Sequence, residues 1–114
     1  MKKVLVTGAG GFIGRPAAKS LLERGFDVHG VDLTAPPHWN DEVVWHQADL
    51  LDSHRLRAVL ESVRPSHLLH LAWCTTPGEY WTSEANLTWV GASLSLIQAF
   101  IEFGGQRVVV AGTC

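Results

Sequence analysis

The sequence predicts an α/β fold, a doubly wound parallel sheet of five strands in the order 3-2-1-4-5. Three observations lead there. Short apolar runs alternate with stretches of helical period along the whole 114 residues, and strands that alternate with helices make a parallel sheet with right-handed crossovers. A glycine pattern, Gly8-x-x-Gly11-x-x-Gly14, joins the first apolar run to the first helical stretch. An acid, Asp32, closes the second run about 18 residues beyond Gly14.

Lys2-Lys3-Val4-Leu5-Val6 is the first strand. The first helix is predicted from about Phe12 to Arg24, with Ile13, Ala17 and Leu21 on one apolar line, Ala18 and Leu22 on another, and Gly25 as its C-cap. Pro16 falls early enough to be tolerated. Asp27 to Asp32 is the second strand. A loop from Pro36 to about Asp41 leads to a third, edge-like strand, Val43 to Ala48. Asp52 or Ser53 caps the next helix, whose Leu56, Val59, Leu60 and Val63 stand at i, i+3, i+4, i+7 and which Pro65 ends. His67 to Ala72 is the fourth strand, buried on both faces except near its start. A long helix then covers roughly Tyr80 to Phe103, with Leu87, Val90, Leu94, Ile97 and Ile101 on one side, and Gly104-Gly105 stops it. Arg107 to Ala111 is the fifth strand.

A strand that stops at a glycine-rich turn and starts a helix makes an anion site, because the first helical N–H groups and the helix dipole both favour negative charge there. Gly8 permits the tight turn. Gly11 lets a pyrophosphate approach the backbone. Gly14 lets the helix pack against the first strand without a Cβ between them. Asp32 lies close to the roughly 20 residues expected of an acid that holds the adenosine ribose of a dinucleotide. Its carboxylate repels a 2′-phosphate, and Leu33-Thr34-Ala35-Pro36-Pro37 brings no cation to neutralise one, so NAD is expected over NADP. Arg15, beside this site, is read as a solvated side chain in preference to a phosphate contact.

Composition narrows the function classes. The chain is one small domain, 46% apolar, with a net charge of −2, which makes no electrostatic case for nucleic acid or an anionic membrane surface. No apolar run approaches the roughly 20 residues of a membrane span. The N-terminus enters a strand without a signal-peptide pattern, and Cys74 and Cys114 lack metal-ligand spacing, so a reducing, cytoplasmic setting is expected.

Thr7-Gly8-x-x-Gly11-Phe12-Ile13-Gly14, Asp32, Ala48-Asp49-Leu50, His70-Leu71-Ala72 and the final apolar strand together resemble the extended short-chain dehydrogenases/reductases. Within them the chain looks like the NAD-dependent epimerase/dehydratase group, which acts mostly on nucleotide sugars. The resemblance covers the whole chain and implies a Rossmann domain over residues 1–114, the N-terminal part of a longer enzyme whose substrate-binding part is absent. It implies that Phe12 and Ile13 present N–H groups to the pyrophosphate and that Asp32 holds the ribose. Asp49 would bind the adenine amino group and Leu50 would pack on the ring. Leu71, Ala72 and Trp73 would line the path to the nicotinamide ribose, and Thr113 would hydrogen-bond the reacting group of the substrate. The family's Tyr-x-x-x-Lys lies beyond the fifth strand. The single tyrosine here, Tyr80, has Glu84 four residues on, so the chain alone is expected to be inactive. Trp89 stands where the family usually has Asn, with Asn86 one turn earlier. The alternative is a dinucleotide-binding or sensor module without chemistry.

The six histidines do not read as a metal set. His67 and His70, three apart on a strand, face opposite sides, and His29, His38, His46 and His54 are scattered. Cys114, without a base partner, is an inert thiol. The five tryptophans carry no interleaved cations and so do not read as a base-stacking platform. Trp81 and Trp89 are expected to pack against further chain or a partner, a homodimer included. The long helix and the fifth strand are expected to expose apolar surface.

Overall fold

β1 (Lys3–Thr7) is the middle strand of the sheet, and its composition suits that place. Val4, Leu5, Val6 and Thr7 are all buried, which a strand achieves only when layers cover both its faces. A computed structural model describes residues 2–10, 13–33, 42–71 and 85–111. After β1 come α1 (Gly14–Glu23), β2 (Asp27–Asp32), β3 (Val44–Gln47), α2 (Ser53–Val63), β4 (His67–His70), α3 (Ala85–Glu102) and β5 (Arg107–Val110). The sheet runs β3-β2-β1-β4-β5 with every neighbouring pair parallel, as predicted. The order reverses at β1, where Thr7 stands opposite Val31 on one side and His70 on the other.

Alternation along the strands divides the core in two. Val4, Val6 and Val28 meet Ala18 and the half-buried Leu21 and Leu22 of α1. Leu5, Val31 and Leu68 meet Leu56, Val59, Leu60 and Val63 of α2 and Leu96, Ala99 and Phe100 of α3. Leu5, Leu60 and Phe100 are fully buried, and burying each contributes about 2 kcal/mol. The helix ends are built as their residues dictate. Gly25, at φ 87°, closes α1 with its own N–H on the Leu22 carbonyl and that of Phe26 on the Leu21 carbonyl, the Schellman arrangement. Pro16 lies in the first turn of α1, where an N–H would lack an intrahelical partner anyway. The Asp52 carboxylate accepts the Arg55 N–H and caps α2.

The structure shows which face of α3 is exposed and corrects three readings of the sequence. Leu87, Val90, Leu94 and Ile101 of α3 are 78, 46, 64 and 64% exposed, while Leu96, Ala99 and Phe100 enter the core. α3 is apolar nearly all round, so periodicity alone picks no face. Trp89 packs against its own chain's core. Trp81 and the start of the predicted long helix lie outside the described residues. β4 is fully buried on one face and half-buried on the other. Leu68 and His70 are enclosed, whereas His67 and Leu69 are half-buried, because α1 packs mainly on β1 and β2 while Phe26 meets the His67 ring edge-on. The expected exposed apolar surface is present, with Val108, Val109 and Val110 of the edge strand β5 joining the α3 residues.

The third correction concerns two of the histidines read as scattered. His29 Nδ1 and His46 Nε2 are 3.0 Å apart. The ring centroids are 5.3 Å apart and the planes differ by 17°. A centroid separation longer than the nitrogen separation by about two ring radii means rings meeting end to end, in line, in an N–H···N bond. His29 Nε2 lies 3.4 Å from the Asp27 carboxylate, so Asp27, His29 and His46 form a chain that ties the edge strand β3 to β2.

Burial, then the charges of His29 and Arg55, lower the His46 pKa, and burial lowers that of His70. Both rings are therefore held neutral in the folded chain. Their contribution to stability is complete above the ordinary histidine value of about 6.5 and is lost as pH falls through the lower folded values, because the unfolded chain then binds more protons. The urea midpoint is expected to drop between pH 7.5 and pH 5.5, and His46→Gln should shrink that drop. An unchanged midpoint across this range would refute the assignment.

Candidate functional site

Everything at the carboxyl end of β1 follows from the lack of side chains. Gly8 takes φ 67° and sends its N–H to the Val31 carbonyl at 3.0 Å, so the chain leaves β1 and crosses toward β2. Ala9 is fully buried there. It fits because Gly30 has no Cβ: one placed on Gly30 would stand 3.0 Å from the Ala9 Cβ and 2.8 Å from the Trp45 ring. Gly14 begins α1 against the same turn. A Cβ on Gly14 would overlap the Gly8 carbonyl oxygen and lie 2.7 Å from the Ala9 Cα. The contact that demands glycine is thus with the turn at Gly8 and Ala9. Ile13 gives α1 no side-chain cap, which leaves the first-turn N–H groups of the helix facing the turn for an anion. Gly11 and Phe12, the other expected pyrophosphate contacts, lie outside the described residues.

Asp32 closes over this turn. Its Oδ2 accepts the Gly10 N–H at 3.2 Å and its Oδ1 accepts the Leu33 N–H at 2.8 Å. Carboxylate and glycine-rich turn are therefore joined, and the carboxylate keeps lone pairs for further donors. Arg15 is exposed, in keeping with the solvated reading, and its Nε–H also donates to the Gly10 carbonyl at 3.0 Å and braces the turn.

One strand over, the Ala48 N–H bonds the Asp32 carbonyl at 3.0 Å, which places the end of β3 beside the end of β2. Asp49 is exposed there, and its Oδ1 accepts the Leu51 N–H at 2.9 Å. Leu50 is 8% exposed and packed among the α2 and α3 side chains, so the ring contact expected of it is limited to the small area left uncovered. Leu50 also reaches a groove of about 310 Å³ between α2 and α3 that Gly8, Asp32 and Asp49 do not line. Leu71 is half-buried beside the end of β1. Ala72, Trp73 and Thr113 lie outside the described residues, as does the side chain of Asn86.

A buried polar chain across β1, β4 and α3 was not read from the sequence. Thr7 Oγ1 lies 2.6 Å from His70 Nδ1, and His70 Nε2 lies 2.8 Å from Ser93 Oγ. Thr7 Oγ1 also accepts the Leu71 N–H at 3.0 Å. Thr7 is fully buried and His70 is 2% exposed. The available signal was two polar residues, Thr7 and His70, closing strands whose middle residues are apolar. Gly30 was missed for a different reason: its clash partners come from β3 and from the turn after β1, and neither is near it in sequence.

The description of a matching family model reads NAD dependent epimerase/dehydratase family, and the match covers residues 4–114. A UDP-glucose 4-epimerase of Schizosaccharomyces pombe is 35% identical over 86 residues, covering 67% of this chain and 24% of that protein. A GDP-mannose 4,6-dehydratase of Vibrio cholerae is 33% identical over 84 residues, covering 61% of this chain and 23% of that protein. Among solved structures, the Thermus thermophilus UDP-glucose 4-epimerase complex with NAD superposes with a TM-score of 0.82 at 27% identity, over 97% of this chain and 37% of that one. The chain thus spans about a quarter of the length of these two relatives.

The steric analysis of the turn has a direct test. Gly14→Ala is expected to destabilise the chain by about 1–3 kcal/mol, the usual cost of forcing atoms into a filled site. Gly91→Ala, where a Cβ meets nothing within 4 Å, should leave stability unchanged or raise it by up to about 1 kcal/mol, since alanine is the better helix former. Thermal or urea unfolding of the two variants separates packing from propensity, and equal effects would refute the close approach at Gly14.

Proposed function

The chain belongs to the NAD-dependent epimerase/dehydratase family, and from that premise we propose that it is the cofactor-holding portion of an NAD-dependent epimerase or dehydratase of nucleotide sugars. The observation that carries this reading is the bond between Asp32 and Gly10, which sets the ribose-binding acid against the phosphate-binding turn. The residues present suit a dinucleotide. A turn closed by Gly8 and Gly14 leaves backbone N–H groups for the pyrophosphate, and the Asp32 carboxylate accepts hydrogen bonds from the adenosine ribose hydroxyls. Gly11, Phe12 and Ile13 complete the pyrophosphate cradle. Asp49 takes the adenine amino group, with Leu50 bordering the ring from within the core. Leu71, Ala72 and Trp73 line the way to the nicotinamide ribose.

When bound, NAD takes and returns a hydride at a sugar carbon. Thr113 orients the reacting hydroxyl or carbonyl of the substrate by a hydrogen bond. A positioned acid–base pair is also required, and its loss typically removes about a hundredfold to ten-thousandfold in rate. Tyr80 cannot serve with Glu84 in the place of lysine, so the 114-residue chain by itself does not turn over. The enzyme works in the cytoplasm, and the apolar residues exposed on α3 and β5 favour association, a homodimer included.

Calorimetric titration tests the cofactor assignment. NAD is expected to bind at least about tenfold more tightly than NADP, the effect of one poorly screened charge repulsion, and Asp32→Ala should erase the difference. Equal affinities in the parent chain would remove Asp32 from the ribose site. Incubation with NAD and a panel of UDP- and GDP-sugars is expected to give no product, and turnover by this chain alone would show that the acid–base pair has been misassigned.

A further inference from the structure

We propose that His70 and Ser93 are positioning residues for the cofactor site, holding the carboxyl ends of β1 and β4 and the face of α3 through the buried chain Thr7–His70–Ser93; this rests on the NAD site proposed above, whose crevice opens beyond the ends of β1 and β4, where the strand order reverses. The last main-chain bond between these strands, at that crevice, is shared with a side chain. The Leu71 N–H is 3.3 Å from the Thr7 carbonyl but 3.0 Å from the Thr7 hydroxyl. The Thr7 side chain therefore reinforces the pairing at the last residue before each strand enters the site. Thr7 precedes Gly8, whose positive φ starts the turn, and Leu71 precedes the loop at the end of β4.

The contact with Ser93 answers a second need. α3 is apolar nearly all round, with large residues left exposed on one side while Leu96, Ala99 and Phe100 are buried on another. Burial of apolar area is non-directional, so it discriminates weakly between such faces. A hydrogen bond is directional, and a buried imidazole left without its partner carries an uncompensated desolvation cost. The His70–Ser93 bond at 2.8 Å therefore selects the rotation of α3 about its axis, the kind of specification that single buried polar contacts supply in helical interfaces. His70 is held neutral by burial, so one nitrogen donates and the other accepts, and the ring transmits an orientation from Ser93 to Thr7. A shift at Thr7 passes directly to Gly8 and to the Gly10–Asp32 bond.

The test compares Ser93→Thr with Ser93→Val, which share a shape and differ by the hydroxyl. Ser93→Thr is expected to bind NAD within about twofold of the parent, and Ser93→Val about tenfold more weakly, the size of a positional coupling between packed elements. Amide hydrogen exchange and chemical shifts are read on the same samples without NAD. Ser93→Val should shift and deprotect the Gly8 and Gly10 amides, and Ser93→Thr should not. A Ser93→Val chain that loses thermal stability but keeps parental Gly8 and Gly10 amides would overturn the proposal, because a merely structural role predicts that result. Failure of the parent chain to bind NAD would instead overturn the assignment of the crevice, while the amide measurements would still decide whether Ser93 positions the turn.

Discussion

The fold turns on a steric constraint: no Cβ can stand at the first residue of α1. Gly14 lies so close to the Gly8 carbonyl and the Ala9 backbone that helix, turn and strand end share one small volume. That approach allows the N-terminal turn of α1 to close over the end of β1. It also leaves Ala9 buried against Gly30 and Trp45, so the missing side chain of Gly30 on β2 is part of the same arrangement. The glycines act together because each is where another element needs the space.

Hydrogen bonds then supply the direction that packing lacks. Asp32 holds the turn through Gly10 N–H, Arg15 holds it from the other side through the Gly10 carbonyl, and Thr7 links it to β4. Away from the site, Asp27, His29 and His46 tie β2 to the edge strand. Arg57 holds Glu102 by two hydrogen bonds of 2.8 and 2.6 Å across α2 and α3. The last pair is exposed, so its energetic value is small. The internal chains matter more, because a polar group left unpaired in the core costs more than a paired one contributes.

On the far side of α3 the balance is different. Leu87, Leu94 and Ile101 are more than half exposed, and the exposed β5 valines lie at a sheet edge. Apolar area of this kind is an attractive surface for any complementary apolar face, and an exposed edge strand offers unpaired backbone groups as well. The residues around the glycine-rich turn are supported by packing on both faces of the sheet, whereas α3 is supported on one.

Element order, strand order and the glycine–acid site were legible in the sequence because each depends on local chemistry. Strand runs and helical spacing are short-range, parallel crossovers have one hand, and Gly8, Gly14 and Asp32 lie within two turns and a helix of one another. Asp52 as a cap and Gly25 as a stop are local in the same way. What only the tertiary structure decided involves residues far apart in the chain. The end-to-end pairing of His29 with His46 arises from β2–β3 register, and the need for glycine at Gly30 arises from the Trp45 ring on the neighbouring strand. Leu50 went into the core because α2 and α3 close over it. The face of α3 was undecidable from a helix apolar all round, and the buried contact from Ser93 to His70 supplies what its periodicity could not, since a directional bond between distant residues exists only once the strands and helices are already in place.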